Sequence, residues 1–126
     1  MEVAIEGRAV ARAQQIRAAI TLGKPGIAAF ITMAAVAAYI VAGGSVASAT
    51  FFHVIVATGL VAAGAAALNQ VREAEIDARM RRTRNRPVPS GTLARQQAVT
   101  VAVGLSVGGF AYSGMTLPWM TTALLA

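Results

Sequence analysis

The sequence contains no cysteine, which excludes a disulfide scaffold, a thiolate metal centre and a cysteine nucleophile. Charge is scarce: 13% of the residues are Asp, Glu, Lys or Arg, against roughly a quarter in an ordinary soluble domain. From Pro25 to Val71 there is no charged side chain at all, and no acidic residue follows Asp77. So few charges leave too little polar surface to coat a water-soluble globule. What is abundant is apolar: 56% of the 126 residues are hydrophobic. A bilayer is the natural solvent for such a chain.

The formal net charge is +6. The basic residues fall into two blocks beside apolar runs, an arrangement that fits anionic headgroups and membrane topology. The run Arg79 to Arg86 has no interleaved aromatics and adjoins apolar helices, so nucleic acid is not an expected partner. Residues 1–24, with Arg8, Arg12, Arg17 and Lys24 among alanines and isoleucines, read as an amphipathic cytoplasmic segment lying at the interface. Residues 25–126 read as the N-terminal part of an all-α, polytopic transmembrane bundle. Spans are expected at about 25–42, 51–70 and 97–115, with the start of another at 118. Helix is forced because lipid cannot hydrogen-bond an open backbone. Crossing ~30 Å of hydrocarbon takes ~20 helical residues. Met120 to Ala126 is too short for that, so the chain is expected to be the first portion of a longer one. The small-residue turn around Ser45 and the turn near Ser113 are uncharged, while the N-terminus and the loop near Arg82 are basic. This alternation puts both basic blocks in the cytoplasm by the positive-inside rule. The expected location is therefore the cell (inner) membrane, multi-pass, with a cytoplasmic N-terminus.

Chemistry concentrates where the second apolar run ends. Asn69, Glu73 and Asp77 fall at i, i+4 and i+8. Each such step advances a helix by ~400°, so the three lie on one stripe with a drift of ~40° per step. Two carboxylates so placed can hold a hard cation: Mg²⁺ typically takes one or two carboxylates together with phosphate oxygens and water. The neighbouring arginines can hold phosphate oxygens directly. The same spacing also describes a solvated helix end, with Glu75 and Arg79 as a local ion pair. Asp77 is expected at the exposed end of the stripe. Pro87 and Pro89 end any helix entering from upstream, and Ser90-Gly91-Thr92 offers an N-cap for the next.

The stripe resembles the first acidic motif of the UbiA superfamily, N-x-x-x-D/E-x-x-x-D. Its continuation, Ile76-Asp77-Ala78-Arg79-Met80-Arg81-Arg82-Thr83-Arg84-Asn85-Arg86-Pro87-Val88-Pro89-Ser90-Gly91, is similar to the haem O synthase pattern I-D-x-x-M-x-R-T-R-x-R-P-x-P-x-G. Thr21-Leu22-Gly23-Lys24-Pro25 resembles that family's L-T-K-P segment, with Gly23 interrupting it. The resemblance implies a helical membrane prenyltransferase with Mg²⁺ as cofactor, farnesyl diphosphate and haem b as substrates, and the lipid bilayer as surroundings. It implies that Asn69, Glu73 and Asp77 are the catalytic stripe, with Glu73 and Asp77 as metal ligands. It further implies that Arg81, Arg82, Arg86 and Lys24 contact the diphosphate. Association with further helices of the fold, or with other haem-pathway membrane proteins, follows from the same resemblance.

Two departures stand out. Glu73 occupies a position where Asp is commonest in the family, and the family's second acidic motif has no counterpart after Asp77. An enzyme of another UbiA branch, serving quinones or chlorophyllide, and a non-catalytic truncated membrane protein are the alternatives. Three other features draw notice. His53 reads as a helix end at the outer interface rather than a haem ligand, Tyr112 and Trp119 read as interface anchors, and Gly104 and Gly108, with Gly109 beside them, form a G-x-x-x-G step suited to close helix contact.

Overall fold

A computed structural model describes residues 2–125, with side-chain surroundings from Val10 onward. The described residues form helices without strands: α1 (Glu2–Leu22), α2 (Pro25–Val41), α3 (Ala49–Arg79), α4 (Arg95–Thr116) and α5 (Trp119–Leu125). Helices α3 and α4 are each long and apolar enough to cross a membrane. The segment Val10–Leu22 and α2 together pass the same test, but they meet at a bend of 44°. The chain is an all-helical membrane protein with two such spans, or three if the bent pair is counted as one.

Local chemistry sets the breaks. Pro25 sits in the first turn of α2, where its missing N–H costs nothing, whereas continuing α1 through it would lose a backbone bond. Ser48 caps α3 by accepting the Phe51 N–H at 3.2 Å. Helix α3 then runs 31 residues to Arg79, nine residues past the end expected for the second span. The whole acidic stripe therefore rides on one continuous helix. Helix α4 begins later than the Ser90-Gly91-Thr92 cap predicts. Ala94 is its N-cap residue, and the Ala94 N–H is satisfied by the Gln97 Oε1 at 3.2 Å. The Ser90 and Thr92 hydroxyls bond each other instead, at 2.9 Å, across a turn that places Gly91 at φ +74°. That left-handed conformation favours glycine.

Helix α3 is the centre of the molecule, packing on α4 and α2. In lipid, helices are held by close packing of small residues rather than by exclusion of water. Accordingly Ala57, Ala67, Ala98 and Ala102 are fully buried. Gly64 lies directly against Ser106, whose backbone N would be 2.7 Å from any added Cβ. Gly109 lies against Val61 and Leu60 in the same way. Gly104 and Gly108 face open space, so the close contact is made by Gly109 and not by the G-x-x-x-G step itself. One buried cluster joins Ala18 and Leu22 of α1 to Ala67, Val71, Leu93, Ala98 and Ala102. A second, at the opposite end, joins Val54, Ala57 and Leu117. Phe30, Val41, Met115 and Leu124 stand exposed, as lipid-facing side chains do.

Candidate functional site

The 40° drift of the acidic stripe turns into a gradient of burial. Asn69 is exposed, Glu73 is half-buried and Asp77 is buried, with 5% of its surface exposed. The core seam of α3 at this end is Ala67, Gln70, Val71 and Ala74, and each four-residue step rotates the stripe towards it. The expectation that Asp77 lies at the exposed end is therefore corrected. Its position on the helix puts it against the loop that follows.

That loop folds back on α3. The Arg86 Nη1 donates to Asp77 Oδ2 at 2.6 Å, a charge-assisted bond at the strong end of the range. The Thr83 hydroxyl, itself buried, donates to the Asp77 backbone carbonyl at 3.0 Å. Pro87 and Leu93 are buried beneath the loop, and the Leu93 N–H donates to the Pro87 carbonyl at 2.9 Å. The proline-bearing loop is thus an ordered lid on the end of α3.

Of the residues singled out from the sequence, the structure brings Asp77 and Arg86 into direct contact, and α3 aligns Asn69 and Glu73 with them. Arg81, Arg82 and Arg84 are exposed on the same loop. Among the described residues, the ion pairs are Arg86–Asp77 and Arg95–Glu75. Arg81, Arg82, Lys24 and Glu73 therefore have no ion-pair partner there. The expected Glu75–Arg79 pair does not form. Glu75 instead lies 3.5 Å from Arg95 of α4, both side chains being well exposed. Lys24 sits half-buried at the break between α1 and α2. His53 is not isolated at a helix end, since its Nδ1 lies 2.7 Å from the Tyr112 hydroxyl, tying α3 to α4. The Tyr112 hydroxyl is engaged by that partner.

Gln70 was not singled out from the sequence. It is 2% exposed, and its Nε2 donates to the Leu22 carbonyl at 2.8 Å and the Thr21 carbonyl at 3.3 Å. A signal was available: 67, 70, 74 and 77 recur at helical spacing, so a polar residue at 70 falls within a seam otherwise lined by alanines.

The donor set suits a hard cation in part. Glu73 and Asp77 are one turn apart, ~6 Å along the axis. Arg86 engages Oδ2 of Asp77, while none of the described hydrogen bonds uses Oδ1. No group of three or more His, Cys, Asp or Glu side chains converges among the described residues. Two carboxylates completed by phosphate oxygens and water match the way Mg²⁺ is commonly held. Alongside, α1 to α4 frame an apolar groove of about 850 Å³, lined by residues such as Ile20, Ala28, Val36, Gly59 and Leu105.

The model of the UbiA prenyltransferase family matches residues 28–126. Among curated proteins, the chain is similar to "Protoheme IX farnesyltransferase" of Koribacter versatilis, 43% identical over 75 residues, which is 60% of this chain and 24% of that protein. It is 52% identical over 58 residues to the protein of the same name from Solibacter usitatus, 46% of this chain and 20% of that one. The likeness to the Erythrobacter litoralis protein, again of that name, is 32% over 105 residues, covering 83% of this chain and 34% of the relative. The matched stretches thus span between 20% and 34% of the relatives' length. No solved structure matches.

Proposed function

Because the chain belongs to the UbiA prenyltransferase family, we propose that it carries the diphosphate-binding stripe of a protohaem IX farnesyltransferase. Such an enzyme moves a farnesyl group from farnesyl diphosphate to a vinyl group of haem b. The observation that carries this reading is the Asn69–Glu73–Asp77 stripe on α3 with Arg86 folded onto its end. The relatives' shared name supports the haem acceptor, as does the run Met80-Arg81-Arg82-Thr83-Arg84. Transfer to a quinone precursor is the second reading within the family.

Glu73 and Asp77 would hold Mg²⁺, which neutralises negative charge on a departing diphosphate. Arg86 orients the Asp77 carboxylate and adds positive charge beside it. Arg81, Arg82 and Lys24, free of ion pairs among the described residues, are the side chains proposed to meet the phosphate oxygens. The C–O bond of the substrate breaks with its electron pair leaving on diphosphate, and the vinyl group supplies the pair for the new C–C bond. A water molecule then adds to the cation left on the vinyl carbon beside the porphyrin, leaving a hydroxyl there and releasing a proton. The apolar groove between the helices would take the hydrocarbon tail and keep water from the allylic cation. The alternation of basic and uncharged turns supports a cytoplasmic side for the basic loop and the N-terminus, in the inner membrane of the cell.

The test begins with the chain purified in detergent and titrated with farnesyl diphosphate, followed by phosphorus NMR. Binding should require Mg²⁺, fall about tenfold or more in Glu73→Gln, as when one charge-assisted contact is lost, and persist in part in Glu73→Asp. Tight binding that ignores both Mg²⁺ and Glu73 would refute the assignment. Co-expression with the remaining helices of a relative, and mass spectrometry of the product, then separates the acceptors: farnesylated haem b supports the haem reading, and a prenylated aromatic acid replaces it.

A further inference from the structure

Lys24 is the single lysine of the chain and, among the described residues, the one non-glycine with positive φ, at φ 45° and ψ 67°. A side chain bearing Cβ holds that conformation only where its surroundings impose it. The break itself is explained by Pro25. With no N–H, Pro25 cannot donate to the Thr21 carbonyl four residues earlier, so the end of α1 is left with free acceptors. The Lys24 N–H takes the Thr21 carbonyl at 3.1 Å. The Leu22 carbonyl is taken by Gln70, which also reaches Thr21. Gly23 presses against Ala63 of α3, where an added Cβ would lie 3.3 Å from the Ala63 Cβ. The end of α1 is therefore seated on α3 at the turn that carries Asn69 and Glu73.

Gln70 makes this seat at a cost. Its Oε1 is buried and has no hydrogen-bond partner, and an unsatisfied buried acceptor is destabilising. A residue that only filled space here would be apolar and carry no such cost. What the amide contributes is its two donors, aimed at the last carbonyls before Lys24.

We propose that Gln70 is a positioning residue for Lys24: by clamping the Thr21 and Leu22 carbonyls it fixes the left-handed turn at Lys24 and so aims the only lysine ammonium at the diphosphate held by the acidic stripe. A lysine arm has four rotatable carbons, and anchoring its backbone limits the volume its ammonium explores. The proposal rests on the reading of Lys24 as a diphosphate contact, and the experiment separates the two.

Because Lys24 is the sole lysine, reductive ¹³C-methylation gives one dimethyl-lysine NMR signal beside that of the terminal amine. The full chain in detergent is titrated with Mg²⁺ and inorganic pyrophosphate as wild type, Gln70→Met and Gln70→Glu. Methionine keeps the volume and loses both donors; glutamate keeps the shape and loses them as well. Helix content is followed by circular dichroism. In folded variants the free Lys24 signal should move, and pyrophosphate affinity should fall about tenfold, the loss of one charge-assisted hydrogen bond. A wild-type signal that pyrophosphate does not move overturns the diphosphate reading of Lys24 and this proposal with it. A signal that responds equally in wild type and both variants overturns the clamp and leaves the diphosphate reading standing. Should neither variant fold, the wild-type chain decides: the Gln70 side-chain amide protons should exchange slowly with solvent, and fast exchange refutes the clamp.

Discussion

Arg86 closes a 2.6 Å ion pair on Asp77 across nine residues, and through it the basic loop is fastened to the helix that bears the acidic stripe. The Asp77 side chain is 7% exposed and that of Arg86 28%, so the pair is shielded on one side and open on the other. The same carboxylate is thus a structural anchor as well as the proposed metal ligand.

Replacing Asp77 should therefore do more than remove a ligand. Asp77→Ala leaves a largely shielded guanidinium unpaired, and the expected loss of stability is about 1–3 kcal/mol, below that of a fully buried pair because Arg86 reaches solvent. Arg86→Ala should cost a similar amount, and the double variant less than the sum of the two. Thermal unfolding in detergent checks this. Strictly additive losses would mean that the two side chains do not act as a pair.

Glycine position on the α3–α4 interface gives a second expectation. Gly64→Ala would push a methyl into the Ser106 backbone, and Gly109→Ala one into Val61. Overpacking of this kind costs about 1–3 kcal/mol. Gly104→Ala meets nothing within 4 Å and should be neutral or stabilising, since alanine is favoured over glycine in a helix by up to ~1 kcal/mol. Melting temperatures of the three variants should fall, fall and hold. A loss confined to Gly104→Ala would mean that the outer face of α4, not the α3 seam, carries the contact.

Topology is open to direct labelling because the chain has no cysteine of its own. Ser45 and Ser90 are both exposed. A cysteine at Ser45 should react with an impermeant thiol reagent on intact cells, and one at Ser90 only after the membrane is opened. The reverse pattern would invert the orientation argued from the basic blocks.

The chain supplied alone with haem b, farnesyl diphosphate and Mg²⁺ should give no detectable haem O by mass spectrometry. Among the described residues no group of three or more potential ligands converges, and Mg²⁺ yields its water reluctantly to the two carboxylates of the stripe. Measurable turnover would show that one acidic stripe suffices.

Much of this was legible in the order of residues. The uncharged stretch from Pro25 to Val71 requires helices in lipid, because backbone groups there have no other partner. The four-residue spacing of Asn69, Glu73 and Asp77 puts them on one stripe, because helix geometry is local. Pro25 breaks α1 from α2 for an equally local reason, the missing N–H. What only the tertiary structure decided is which way each face turns. The drift along the stripe is contained in the spacing, but its direction relative to the core is set by α1 and α4 packing on α3. That packing made Asp77 a buried partner of Arg86, took Glu75 from Arg79 to Arg95, and gave Gln70 the carbonyls at the end of α1. Each of these joins residues 9 to 49 positions apart, and no local periodicity encodes a pairing that depends on where two helices meet.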